Sequence, residues 1–273
     1  MSDAKSYNAT SQNPNQSLTD ERYEKTKLYT KITIVVAVIT TIAVIISAYS
    51  FVNNVLAPLD QREDKTTNAA TQNIEIEATT FNGNIEIQSS TSDRIEVTYN
   101  IEAPKGHINE ITTATTNQTQ NENTIIIAEA KIVNTNNDLK VNYRANILIK
   151  LPNTSQYNLT LHTLNGNIIK PQLNDTTIVA ATNNGYIDIK DDNCTTINAS
   201  SLNGNVKISL AEGTLFHVDA NTANGYVSYQ GIAMNTSIQT TTHLNGNTTG
   251  GSGNLNLTLT TANGNITIEY LAK

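Results

Sequence analysis

From Asn165 to Ile208 the chain reads NGNIIKPQLNDTTIVAATNNGYIDIKDDNCTTINASSLNGNVKI, and Asn-Gly followed by Asn or Tyr recurs in it at Gly166, Gly185 and Gly204, each 19 residues from the next. The same signature lies outside this stretch at Asn82-Gly83-Asn84, Asn224-Gly225-Tyr226, Asn245-Gly246-Asn247 and Asn263-Gly264-Asn265, with spacings of 21, 21 and 18 residues after Gly204. Self-similarity at such a period marks a stacked repeat, in which each unit buries its apolar face only against its neighbours.

Apolar residues keep a fixed distance from the glycines. Two and four residues on stand Ile85 and Ile87, Ile187 and Ile189, Val206 and Ile208, Val227 and Tyr229, Ile266 and Ile268. Twelve and fourteen on stand Ile95 and Val97, Ile178 and Ala180, Ile197 and Ala199, Phe216 and Val218. Alternation of this kind predicts two short strands per period. Turn formers such as Pro171 to Asp175 and Asp191 to Asn193 separate them at one end, and Asn-Gly supplies a corner, expected at positive φ, at the other. A virtual corner at Ile147, one period before Gly166, places Ile149, Leu151, Leu159 and Leu161 inward as well.

Two architectures fit about twenty residues per two strands. In a parallel β-solenoid each turn advances one rung and equivalent residues stack. In an antiparallel β meander each Asn-Gly closes a two-residue hairpin. Residues stacking in register favour the solenoid: position minus three from the glycine is a hydroxyl column of Thr80, Thr163, Thr182, Ser201, Thr222 and Thr261, broken by His243. Tyr186 and Tyr226 follow glycine in place of Asn.

Composition agrees with an all-β scaffold. Asn and Thr number 39 and 41 of 273 residues, only 15% are charged, and the formal net charge is -7. An acidic balance without clustered Lys and Arg argues against a nucleic-acid partner. The single Cys194 excludes an intramolecular disulfide and a multi-thiolate metal site.

Ile32 to Val52 carries no charge, and its hydroxyls can return to the helix backbone, so it reads as a transmembrane helix with Tyr29, Tyr49 and Phe51 near its ends. A cleaved signal peptide fits less well, because Pro58 follows the only small-residue site, Val55-Leu56-Ala57. Arg22, Lys25, Lys27 and Lys31 precede the span against Arg62 and Lys65 after it, which predicts a cytoplasmic N-terminus and an extracellular C-terminal domain at the cell membrane. The expected organisation is a disordered tail (1–31), the span (32–52), a linker (53–72) and a β-solenoid ectodomain (73–273). An insertion at 101–145 is expected to hold a hairpin, Thr124 to Val133 with Leu139 to Arg144, and a mobile loop from His107 to Asn123.

The run NYRANILIKLPNTSQYNLTLHTLNGNIIK (142–170), followed by NGYIDI, LNGNVKI and ANGYVSY units, resembles the putative-adhesin β-helix family of prokaryotic envelope proteins. The likeness covers roughly Gln72 to Leu271. It implies a β-helical or roll-like ectodomain, often tethered to a membrane, without an established activity.

Nothing in the residues assembles an enzyme. A glycosidase needs two carboxyls facing across a groove, and the acids of the periodic body are few, with Asp191 and Asp192 read as turn residues and Asp188 as solvated. His162, His217 and His243 sit at different offsets, so they form no metal ladder, and no cofactor fingerprint is present. Among many Asn-x-Ser/Thr sequons, Asn174 and Asn193 in turns are the better glycosylation candidates. The reading is a non-catalytic adhesion or envelope scaffold touching a surface polysaccharide or another envelope protein, with Tyr186 and Tyr226 as contact residues. Its rivals are a carbohydrate-active β-helix enzyme and an envelope sensor.

Overall fold

The computed structural model describes residues 33, 36, 37, 39–47, 49, 58–120, 123–133, 142–191, 193–250 and 253–271, in a chain that divides into two units, Met1–Leu56 and Ala57–Lys273. The described residues of the first unit are helical and exposed. Thr40 Oγ1 and Thr41 Oγ1 each donate to the Ala37 carbonyl, at 2.9 and 2.8 Å, and Ser47 Oγ donates to Ala43 at 2.8 Å, so hydroxyls in this stretch return to the backbone. Among the described residues no helix is long and apolar enough to cross a membrane. The tail expected at 1–31, and part of the span expected at 32–52, lie outside them.

The second unit is all-β. Its strands are β1 (Leu59–Ala69), β2 (Asn73–Asn82), β3 (Ile85–Ser90), β4 (Arg94–Pro104), β5 (Ile111–Gln120), β6 (Asn123–Ile132), β7 (Arg144–Pro152), β8 (Gln156–Asn165), β9 (Ile168–Lys170) and β10 (Asp175–Asn184). They continue as β11 (Ile187–Asp191), β12 (Thr196–Asn203), β13 (Val206–Leu210), β14 (Phe216–Asn224), β15 (Val227–Gln230), β16 (Met234–Gln239), β17 (His243–Thr248), β18 (Leu255–Asn263) and β19 (Ile266–Tyr270). These form a nine-stranded sheet, β1-β4-β7-β3-β9-β11-β13-β19-β15, and a ten-stranded sheet, β16-β17-β14-β18-β12-β10-β8-β2-β6-β5.

Six times the chain leaves the ten-stranded sheet through an Asn-Gly corner and enters the other: β2 to β3, β8 to β9, β10 to β11, β12 to β13, β14 to β15 and β18 to β19. The strands flanking such a corner lie in different sheets, so no hairpin forms there and the antiparallel meander is excluded. Successive coils pair in parallel and in register, as in Ile168↔Ile187↔Val206 and Leu159↔Ile178↔Ile197. Inward residues alternate along most rungs, while β15 at the sheet edge is only half-buried. Ile76, Ile85, Leu161, Ile178, Ile187, Ile197, Val206, Leu259 and Ile266 are all fully buried between the sheets. Each such burial contributes about 1.5–3 kcal/mol.

Spatial order departs from sequence order at both ends of the stack. The last coil, β18–β19, lies between β12–β13 and β14–β15, and the first, β2–β3, lies between β6 with β7 and β8–β9. The unequal spacings after Gly204 mark the first departure. After β15 the chain turns back as the antiparallel pair β16–β17 along β14, so β18 takes the free edge of β12. Gly246 therefore lies inside β17, opposite Val218, and is not a corner.

Antiparallel strands close the end beside β2–β3, with β4 against β7, β1 against β4 and β5 against β6. The linker expected at 53–72 thus contains β1, whose eleven residues all pair with β4. The mobile loop expected at 107–123 contains β5, because alternating β-branched Thr residues suit a pleated surface whatever their polarity. The inserted hairpin is β5–β6; of the strand expected at 139–144, residues 139–141 lie outside the described residues, Asn142 and Tyr143 are not in a strand, and Arg144 opens β7. The position stacked on the Gly83 corner is Ala145, the second residue of β7 and two residues before the virtual corner, so the inward parity of Ile149 and Leu151 is unchanged.

The corner glycines answer to crowding. A Cβ on Gly166 would overlap the carbonyl oxygen of Gly83, one on Gly185 that of Gly166, and one on Gly204 that of Gly185. Of the corner glycines, Gly185 and Gly204 also take the expected positive φ, at 158° and 157°, while Gly106, Gly213 and Gly231 (φ 86°, 86° and 70°) lie outside the corners.

Candidate functional site

Each corner is held by three hydrogen-bonded columns. Innermost is the hydroxyl at minus three: Thr80 Oγ1 donates to Ala145 O (2.7 Å), Thr163 to Gly83 O, Thr182 to Gly166 O, Ser201 to Gly185 O and Thr261 to Gly204 O (2.9 Å each), and Thr222 to Gly264 O (2.8 Å). All six are buried. The hydroxyl of one rung caps the glycine carbonyl of the next and fixes the corner from inside.

The residue before each glycine forms an outer ladder of carboxamides. Nδ2 of Asn165 donates to Asn82 Oδ1 (2.5 Å), Asn184 to Asn165 (2.6 Å), Asn203 to Asn184 (2.8 Å), Asn263 to Asn203 (2.7 Å) and Asn224 to Asn263 (2.8 Å). A carboxamide has two N–H donors and two acceptor lone pairs, and the ladder uses one of each. The remaining donor and acceptor are left for solvent or a ligand, repeated at the inter-strand spacing of about 4.8 Å.

The residue after each glycine forms the third column. Oδ1 of Asn146 accepts the amide of Asn84 (2.9 Å), Asn84 that of Asn167 (2.9 Å), Asn167 that of Tyr186 (3.0 Å), Asn205 that of Asn265 (2.8 Å) and Asn265 that of Tyr226 (3.1 Å). Tyr186 and Tyr226 are therefore held through their backbone, with side chains 42% and 53% exposed. The order along this column is Tyr186, Asn205, Asn265, Tyr226, because β18–β19 intervenes. The two rings stand three rungs apart, about 14 Å, rather than on neighbouring positions. Leu164 and Leu202, two before their glycines, are also exposed, at 48% and 51%.

Where the corner meets the β1–β4 end the strip becomes a groove of about 710 Å³, lined by Asn82, Asn84, Asn146, Asn165, Asn167 and Asn184 with Tyr143, Arg144 and Glu102. Tyr143 is buried and donates its hydroxyl to Glu110 Oε2 (2.8 Å), while its carbonyl accepts Asn82 Nδ2 (3.2 Å). Arg144 lies 3.7 Å from Glu102, the one carboxylate among the described lining residues. This is a surface for hydrogen bonding, rimmed by a guanidinium, and its described lining residues include no facing carboxyl pair.

The other sequence candidates fall away from this groove. Asn174 is half-buried and accepts Asn193 Nδ2 at 3.4 Å from the next rung, with Asn193 exposed, so the two sequons are neighbours. His243 Nε2 lies 3.2 Å from Asp219 Oδ1 and His217 Nδ1 lies 3.0 Å from Asn247 Oδ1, and among the described residues no group of three potential ligands could hold a metal ion. Cys194 is buried with its thiol directed at the carbonyls of Thr196 (3.0 Å) and Thr176 (3.2 Å), and burial, then the charge of Asp191, pushes its pKa up to about 12.

Sequence reasoning missed one buried cluster. Asp191, expected as a turn residue, ends β11 at 1% exposure, and Asp175 opens β10 at 2%. Both face Lys170. The signal was present: Lys170 stands four after Gly166, where the paired position in the next coil is Ile189.

No family model matches the chain, and no curated protein matches it. Among solved structures it is similar to a putative cell adhesion protein from Clostridium sporogenes, with a TM-score of 0.61 at 11% identity over 78% of this chain and 100% of that one. A putative adhesin from Bacteroides fragilis also aligns, at 11% identity over 78% of this chain and 97% of that one, but its TM-score of 0.28 carries no architectural argument. The likeness of the repeat to the putative-adhesin family is thus met, at the level of the fold, by a cell adhesion candidate that this chain spans end to end.

Proposed function

We propose that this chain is a membrane-anchored surface protein whose two sheets form a β-solenoid displaying the asparagine corner as a non-catalytic contact strip for a polysaccharide. The observation that carries this reading is the outward half of the carboxamide ladder. Each rung from Asn82 to Asn224 offers one donor and one acceptor at a constant spacing. Hydroxyl groups of a repeating polymer, each donor and acceptor at once, match such an array, and the Tyr186 and Tyr226 rings and the Leu164 and Leu202 side chains offer apolar faces beside it. Individually weak contacts add along a polymer without new chemistry at any one of them.

The apolar stretch 32–52 supports the anchor, with the N-terminus inside and the sheets outside. The fold shared with a cell adhesion candidate supports the surface role. The test is binding of cells displaying the full chain to a panel of surface polysaccharides, beside cells displaying Asn165→Ala/Asn184→Ala/Asn203→Ala. Saturable binding lost in the triple variant supports the strip. Equal binding by both proteins removes it, and capture of a neighbouring envelope protein in place of glycan moves the reading to a scaffold. Resistance of the full chain to alkaline extraction from membranes tests the anchor separately.

A further inference from the structure

Lys170 ends β9 at an inward position, and its paired residue in the next rung, Ile189, is core. Its ammonium consequently enters the space between the sheets, with a side chain 0% exposed. Two carboxylates share that space. Asp175, five residues on and 0% exposed, meets Lys170 Nζ through Oδ2, and Asp191, 1% exposed, places Oδ1 at 3.4 Å from the same nitrogen. Asp191 is held in place through its other oxygen, which accepts the Cys194 amide at 2.8 Å, while Nζ also donates to the Lys190 carbonyl at 3.0 Å. The residues paired with Asp175 and Asp191 in neighbouring strands are Tyr157 and Leu210, both fully buried. An amine, a carboxyl in contact with it and a second carboxyl within proton-transfer reach are thus enclosed between the sheets.

We propose that Lys170 and Asp175 are joined by an intramolecular amide between Nζ and Cγ, formed in the folded protein with Asp191 as proton carrier. Nζ passes a proton to the Asp191 carboxylate and attacks Cγ of Asp175. The Cγ–Nζ bond forms, Asp191 delivers that proton to one Asp175 oxygen and then takes a second proton from the newly bonded nitrogen, and the Cγ–O bond breaks as this second proton joins the same oxygen, which leaves as water. Across the step an ammonium and a carboxylate become a secondary amide and one water, Asp191 ends unchanged, and no oxidant or activating group is consumed. The enclosure favours this outcome. Each buried ion carries a desolvation penalty, the amide removes both charges, and its remaining N–H keeps the Lys190 carbonyl as acceptor. Fixed contact between amine and carboxyl replaces an encounter by an effectively unimolecular step. The bond would close the turn Pro171 to Asn174, which carries the chain from one sheet to the other, and staple the coil on the side opposite its Asn-Gly corner.

The experiment is peptide mass analysis of the full chain, purified in detergent and digested after denaturation. The peptide holding Lys170 and Asp175 is expected to be lighter than its sequence by one water, with no backbone fragments separating 170 from 175. Lys170→Arg restores the full mass. Asp191→Asn, similar in size, is expected to leave most molecules unlinked, and complete linkage in that variant would overturn its role as proton carrier. A wild-type peptide at its full sequence mass overturns the proposal. So does a water loss that persists in Lys170→Arg, since it would belong to another group, such as a cyclic imide at an aspartate.

Discussion

Thr163 Oγ1 donates to the carbonyl oxygen of Gly83 at 2.9 Å, joining residues 80 positions apart in the chain and one rung apart in space. The same bond recurs at the other corners, which makes the hydroxyl column a structural requirement. Thr163→Val keeps the shape and deletes the donor, so a buried carbonyl loses a partner. The expected loss is about 1–3 kcal/mol, read as a lower urea midpoint at unchanged slope. Thr160, half-buried on the outward face of the same strand, serves as the control: Thr160→Val is expected to change stability by under about 0.5 kcal/mol.

Glycine substitutions separate crowding from backbone conformation. Gly166→Ala places a methyl on the Gly83 carbonyl, so the corner must open and the coils on either side lose register. A loss above about 4 kcal/mol, or failure to fold, is expected for such a backbone overlap. Gly213→Ala meets nothing within 4 Å but forces φ near 86° on a residue with a Cβ, at a cost of about 1–2 kcal/mol. Thermal melts of the two variants should therefore differ widely, and similar melts would mean that the corner can yield.

Much of this architecture is legible in the sequence because the repeat encodes it twice, in apolar parity and in the columns around Asn-Gly. Parity is robust to error: Ala145, the residue of β7 stacked on the Gly83 corner, lies two residues from the expected place, yet Ile149 and Leu151 face inward all the same. Spatial order is another matter. Parallel neighbours need no sequence adjacency, so the insertion of β18–β19 beside β12 shows only as irregular spacing. Gly246 carries the right tripeptide in a strand that pairs antiparallel, and composition alone cannot distinguish it from Gly264. Lys170, Asp175 and Asp191 each read as polar residues near turns. Only the coil geometry brings them into one buried cluster.

Alkaline pH should expose the buried acids of the core. Burial raises the Cys194 thiol and the Tyr157 phenol to about 12, from ordinary values of 9.0 and 10.0. Both folded values lie above the unfolded ones, so the folded state holds these protons more tightly. Their contribution is complete below about pH 9 and is lost as the pH climbs toward 12. Urea midpoints are expected to fall across that window. At pH 8 a thiolate-selective alkylating reagent should label the folded chain on the order of a thousandfold more slowly than the unfolded one, because the folded thiol holds its proton up to about 12. Labelling of the folded chain at the unfolded rate would place Cys194 at the surface.

Tyr186 and Tyr226 occupy one column but are separated by the rungs of Asn205 and Asn265, which decides how their substitutions combine. Rings about 14 Å apart share no contact and would meet different units of a bound polymer. Tyr186→Ala and Tyr226→Ala should each weaken polysaccharide binding by about 0.5–1.5 kcal/mol, and the double variant by the sum. Neither should alter the β-sheet circular dichroism, because each residue is held in the corner by its backbone amide, which alanine retains. Strong non-additivity in a titration would instead mean that the two rings grip one ligand unit, which this spacing forbids. Unchanged binding in the double variant would leave the carboxamide ladder as the contact surface without its aromatic flank.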